Sequence, residues 1–441
     1  MTDDLANDIL TDLVRSAWIV ERSRASIYEA WTEHDSRFGA SAERALKRAS
    51  IIERSIESRN RTPDDSFIEP HAGWIGNLVG ARPDEVAFGE LFMIRLADWV
   101  DGHAGPFLDD GVDEIAAINE EEKSFVPFPE SIPEAPPFVP LETIELEPPG
   151  EVRFTFGILA DTHIGSPRAE AMTRAAVADL NASGAEMVVQ LGDITNHGNE
   201  REFIRAAEVL SELEMPYLTT MGNHDVYSYR KEALIGRRLY EKYFGRAPDG
   251  LLHEHKGIRF AVLDSAEDLA SPFPPFNLVT GTFMEGKGGA VVRGVLSTPQ
   301  HEILADIAAP GSPPAFVFLH HPPQPFHGFP PILFGLRDTD SGRLHAVCDS
   351  GNVWGIFAGH THRNTITTRF GDVPAVEVAI PRDFPFGYAL VDVTDEGYSY
   401  RWVQLSNKEL CAEGHKTVSE IHHRYGLGQP EERAFVWRKS G

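Results

Sequence analysis

At 441 residues the chain is too long for one ordinary core, so two or three domains are expected. Its 67 acidic against 40 basic residues leave a formal net charge of −27, which argues against any surface built to hold nucleic-acid backbone. Two cysteines, Cys348 and Cys411, are too few for a disulfide framework or a thiolate zinc cluster, and no apolar run approaches the ~20 residues of a membrane span.

Acids occupy residues 1–6 where a secretory leader would carry bases, so the expected compartment is the cytoplasm. Residues 4–60 then predict two helices. Leu5, Ile9, Leu13, Ala17, Val20, Ile27 and Trp31 share one helical face, and Ala45, Ala49, Ile52 and Ile56 repeat the spacing from about residue 41. A third helix is expected from Pro83 and a shorter one at 112–121, which makes residues 1–123 a small helical bundle. Glu21, Glu53, Glu90, Asp98 and His103 lack the paired Glu-x-x-His pattern of a di-iron bundle, so a scaffold, lid or homodimer role is preferred. Residues 124–150 interleave eight prolines with acids and bulky apolar residues. This reads as a stiff linker whose Phe125, Phe128, Phe138 and Val139 lie against a domain.

From residue 151 the pattern changes. Three apolar runs, 154–160, 187–191 and 217–221, end in Asp161-Thr162-His163, Gly192-Asp193 and Gly222-Asn223-His224-Asp225. Helical stretches at 168–182 and 200–213 separate them, which predicts β-α-β-α-β with right-handed crossovers. All three signatures then emerge at the carboxyl edge of one parallel sheet, where open α/β sheets bind ligands. Two further runs, 315–319 and 353–358, lead into His320-His321-Pro322-Pro323 and Gly359-His360-Thr361-His362. Carboxylates, imidazoles and a carboxamide on neighbouring strand ends offer mixed oxygen and nitrogen donors suited to Mn, Fe, Zn or Ni. A single Asp between two such ions can bridge them.

Between these blocks the sequence predicts a helix at 230–244, a hairpin of strands 251–255 and 258–263, and a helix at 299–308. Long irregular stretches at 265–295 and 322–342 are expected to border the pocket. Segments 364–369, 375–380, 388–393 and 398–405 predict antiparallel strands that build a second sheet, the last pair joined by a turn at 394–397. Residues 406–441 are polar and carry no assignable pattern.

The five blocks, taken in order, resemble the calcineurin-like metallophosphoesterases, nearest the class III cyclic-nucleotide phosphodiesterase and glycerophosphodiesterase branch. The resemblance implies an α/β fold, a four-layer α-β-β-α sandwich over residues 151–405, preceded by the bundle and followed by an extension at 406–441. It implies two divalent or mixed-valence transition-metal ions, Mn, Fe or Zn. Asp161, His163 and His362 would hold one, Asn223, His320 and His360 the other, and Asp193 would bridge, with His321 as the alternative to His320. His224 would protonate the leaving group with help from Asp225, and Asn196 and His321 would contact substrate. Asn196 also stands where purple acid phosphatases place a metal-binding Tyr. The reaction implied is hydrolysis of a small phosphodiester, such as a cyclic nucleotide, by a hydroxide bridging the metals. The alternatives are a phosphomonoesterase or protein phosphatase, and a non-catalytic scaffold that uses the bundle.

Overall fold

The computed structural model describes residues 36–58, 135–226, 234–245, 250–266, 294–323, 338–418 and 426–439, with isolated residues between them. The chain divides into two compact units, one of residues 1–132 with 276–282 and 327–333, the other of the remainder.

In the first unit helix α1 (Arg37–Ser58) buries Ala45, Ala49, Ile52 and Ile56 on the face that the spacing marks out. Trp18, Ala25 and Tyr28 are buried on the preceding helical stretch, and Ile115 and Ile118 on the one near residue 118. The Glu21 carboxylate accepts from Arg48 Nε at 2.8 Å, with both side chains fully buried. Such a pair needs both partners, because removing either leaves an uncompensated charge. The helix expected at Pro83 and the linker residues Phe125 and Phe128 lie outside the described residues.

The second unit is a four-layer sandwich. Its first sheet contains β1 (Phe154–Leu159), β2 (Met187–Gln190) and β3 (Tyr217–Thr219), which run parallel side by side. Its second contains β4 (Leu251–His255), β5 (Ile258–Val262), β6 (Ala315–Leu319) and β7 (Val353–Ala358), with β5, β6 and β7 parallel. Phe154, Phe156 and Ile158 face Phe260, Phe316, Phe318 and Phe357 between the sheets. Leu159 and Val188 turn outward onto helices α2 (Ala169–Ala182) and α3 (Glu200–Leu210), which carry Met172, Ala176, Leu180, Phe203 and Ala206. With both faces covered, these strands are near-continuous apolar runs, which is why they stand out in the sequence. Helix α4 (Leu234–Phe244) joins this outer layer through Tyr240, while α5 (Thr298–Ala308) and α6 (Asp338–Cys348) cover the far sheet.

The four later strands do not form one sheet as expected. β8 (Thr365–Phe370) and β9 (Val373–Glu377) extend the second sheet, β9 parallel to β7, whereas β10 (Gly387–Val393) and β11 (Gly397–Gln404) return to the first, β10 antiparallel to β1. The final segment supplies helix α7 (Lys408–His415), whose Cys411 packs in the outer layer, and strand β12 (Ala434–Arg438), paired with β11. Both sheets thereby reach six strands, ordered β12-β11-β10-β1-β2-β3 and β8-β9-β7-β6-β5-β4. In the linker, Phe138 packs against the outer layer beside His415, but Val139 is 68% exposed.

Candidate metal centre

The parallel strands deliver their carboxyl ends to one place. Asp161 and His163 follow β1, Asp193 follows β2, Asn223 follows β3, His320 follows β6, and His360 and His362 follow β7. Bonds between side chains and backbone lace the two edges together: the His360 backbone N–H donates to Asp161 Oδ1 at 2.9 Å, and Thr220 Oγ1 to the Leu263 carbonyl at 2.7 Å. Asp161, His163, Asp193, His360 and His362 all have positive φ, from 44° to 72°. Non-glycine residues adopt that region at a cost, and a cluster of them marks a site where surrounding structure imposes the geometry. Glycine makes the close approach feasible. A Cβ at Gly359 would collide with Asp161 Oδ2, and one at Gly222 with Asp193 Oδ1. Gly359→Ala is therefore expected to push the Asp161 carboxylate out of place and lower metal affinity by about 10–100-fold, the range for losing ligand orientation. Elemental analysis after dialysis checks this, and a full metal complement in the variant would refute it.

Two donor sets result. Ligand atoms of Asp161, His163, Asp193 and His362 lie within 4.8 Å of one another, as do those of His320, His321 and His360. In the first set His163 Nε2 is 3.0 Å from His362 Nε2 and 3.6 Å from Asp193 Oδ2. In the second, His320 Nε2 is 2.9 Å from Asn223 Oδ1, 3.1 Å from His360 Nδ1 and 3.5 Å from Asp193 Oδ1. Asp193 thus turns one oxygen to each set.

Ring tautomers follow from the partners behind. His320 Nδ1–H donates to the Leu191 carbonyl at 2.9 Å, which leaves a lone pair on Nε2. That lone pair faces the oxygens of Asn223 and Asp193, acceptor against acceptor, an arrangement that a cation between them resolves. His362 Nδ1–H likewise donates to Asp383 Oδ2 at 2.9 Å. The donors present therefore fit a transition-metal centre.

The electrostatics point the same way. Burial and then the neighbouring carboxylates Asp161 and Asp225 hold Asp193 well above the usual carboxylate range, and burial also raises Asp161. Burial keeps His163, His320 and His360 well below the ordinary imidazole value. For His362 burial pulls down, but Asp161 and Asp383 prevail and raise it. Buried carboxylates crowded among neutral imidazoles form a site that divalent charge would stabilise.

The remaining predicted residues take more specific places. His224 Nδ1–H donates to the Asn196 carbonyl at 2.9 Å, its Nε2 stands 4.0 Å from Asp193 Oδ2, and burial pushes the ring down to about 3 against the pull of that carbonyl. Asn196 thus orients His224 through its backbone, while its side-chain amide lies 3.1 Å from the His197 ring. Asp225 does not reach His224 as expected. It accepts from the backbone N–H of Ile194, Thr195 and Gly222 and from Thr195 Oγ1, and so pins the β2 and β3 loops together. Burial lifts its carboxyl to about 6. His321 is buried beside His360, with Nδ1 2.9 Å from Ser265 Oγ at the end of β5. Sequence reading missed Arg382 and Asp383, a charged pair in a loop with no pattern around it to distinguish it from solvated surface.

With the geometry in view, comparison with known proteins decides the class. The family model described as calcineurin-like phosphoesterase matches residues 154–364. This stretch is a calcineurin-like phosphoesterase domain. A protein of Rhodococcus erythropolis named "Probable cyclic nucleotide phosphodiesterase" is 26% identical over 230 residues, 49% of this chain and 67% of that protein. The glycerophosphodiester phosphodiesterase GpdQ of Enterobacter lignolyticus is 26% identical over 204 residues, 43% of this chain and 65% of that protein. The chain thus spans about two thirds of the length of these relatives. Among solved structures, a dimetal phosphatase from Danio rerio aligns with a TM-score of 0.42 at 18% identity, over 58% of this chain and 98% of that one. The calcineurin-like domain is that of a phosphoric ester hydrolase. No helix among the described residues is long and apolar enough to cross a membrane.

Proposed function

We propose that the chain hydrolyses a small phosphodiester, with cyclic nucleotides among the candidates, at a centre that holds two transition-metal ions. Asp193 carries the reading, because its two oxygens face different donor sets at 3.6 and 3.5 Å. Asp161, His163 and His362 would hold one ion and Asn223, His320 and His360 the other, with Mn, Fe or Zn suited to these donors. When bound, such a pair acidifies water and neutralises phosphoryl oxygens.

The chain's own residues supply the rest. Burial excludes bulk water from Asp161, Asp193 and His320, and the Asn196 carbonyl fixes the His224 ring. An anionic phosphoryl group beside that ring favours its protonated form. The Nε2–H then passes to the leaving oxygen as its bond to phosphorus breaks and water supplies the new one. The activities named for the two curated relatives support the choice of a diester.

Elemental analysis joined to turnover of bis(p-nitrophenyl) phosphate, p-nitrophenyl phosphate and a cyclic nucleotide tests the proposal. About two transition metals per chain and preference for the diesters are expected. Faster turnover of the monoester would make the chain a phosphomonoesterase, and a metal-free, inactive protein would make it a scaffold.

A further inference from the structure

We infer that Arg382 and Asp383 form a positioning device for His362, so that metal binding there depends on an ion pair that does not itself touch the metal. The pair lies beyond residue 364, where the match to the family ends, in the loop that follows β9. Asp383 Oδ2 receives the His362 Nδ1–H at 2.9 Å, which fixes both the tautomer and the direction of Nε2. The same carboxylate is gripped by the guanidinium fork, with Arg382 Nε on Oδ1 at 2.9 Å and Nη2 on Oδ2 at 2.7 Å. The third arm, Nη1, donates to Ser166 Oγ at 3.1 Å, three residues past His163. One ion pair thereby ties the loop bearing His163 to the loop bearing His362. The Phe386 N–H closes on the Asp383 carbonyl at 2.7 Å and holds the turn that presents the pair.

A carboxylate acceptor makes the imidazole behind which it stands a stronger ligand, and its loss costs metal affinity even though it is not a ligand. The fork matters because a rigid bidentate grip leaves Asp383 one orientation, with Oδ2 toward His362. His320 leans on the uncharged Leu191 carbonyl instead. The Asp383 carboxylate therefore stands behind His362 and not behind His320.

The inference rests on the metal-centre reading above and not on any substrate. Its test is Mn²⁺ binding to the metal-stripped full chain in competition with a chromophoric chelator. Asp383→Asn, which keeps the size and removes the charge, is expected to weaken one metal position about 10–100-fold, and Asp383→Ala more. In a His362→Ala background Asp383→Asn should add nothing, because a residue that acts through another has no effect once that one is gone. If Asp383→Asn does not fold, Arg382→Gln carries the same test by releasing the carboxylate from its fork. Wild-type Mn²⁺ affinity in these variants, or losses that add in the double variant, would overturn the inference. A wild-type chain that binds no Mn²⁺ overturns it together with the metal centre. A chain whose Mn²⁺ binding falls with Asp383→Asn but which hydrolyses no ester supports it and overturns the substrate proposal alone.

Discussion

Asp193→Ala is expected to empty the centre of both ions and to cut ester hydrolysis by roughly 10³-fold, more than any other single ligand replacement. Asp193 faces both donor sets, with Oδ2 3.6 Å from His163 Nε2 and Oδ1 3.5 Å from His320 Nε2. His163→Ala or Asn223→Ala removes a donor from one set only and should weaken one position more than the other. A metal centre contributes several kcal/mol to the transition state, which at ~1.36 kcal/mol per tenfold gives the stated factor. The Asp193 carboxylate also matters locally, since its Oδ1 accepts the His224 backbone N–H at 2.8 Å, so Asp193→Asn is the milder companion that keeps an acceptor there. Metal content by elemental analysis is the primary readout. Purified Asp193→Ala that retains about two metals per chain would rule out the bridging role, whatever its activity.

His224→Ala is expected to keep both ions and to lose about 10²–10⁴-fold in turnover of alkyl or nucleoside diesters, the usual contribution of a general acid. The reason lies in where the ring sits. Its Nδ1–H is spent on the Asn196 carbonyl, and its Nε2 stands 4.0 Å from Asp193 Oδ2, at the side of the centre and outside the closest donor contacts. An alkoxide leaving group needs the proton, whereas p-nitrophenolate leaves well without it. The loss on bis(p-nitrophenyl) phosphate should therefore be far smaller than on a cyclic nucleotide or alkyl diester. Equal losses on both would assign His224 to substrate positioning, and a fall in metal content would return it to the ligand shell.

The sequence by itself determined the β-α-β-α-β core, the five polar blocks and their delivery to one edge. Those features are local. A strand covered on both faces must be apolar throughout, so Phe154, Phe156 and Ile158 announce β1 without reference to any neighbour. The residue types at the strand ends likewise name their chemistry, because few other roles bring Asp161, His163, Asp193, Asn223 and His320 to successive strand ends.

Tertiary structure alone decided how the later strands are shared. Alternation in 364–405 predicts strands but says nothing about partners, and hydrogen bonding sent β8 and β9 to one sheet and β10 and β11 to the other. It decided that Asp225 binds backbone amides of Ile194, Thr195 and Gly222 and does not hold His224, since adjacency in sequence carries no information on side-chain direction around a tight turn. It decided too that Arg382 and Asp383 belong to the centre. Their partner His362 is some twenty positions earlier in the chain, and a hydrogen bond across that interval exists only once β8 and β9 have folded back to bring the two loops together.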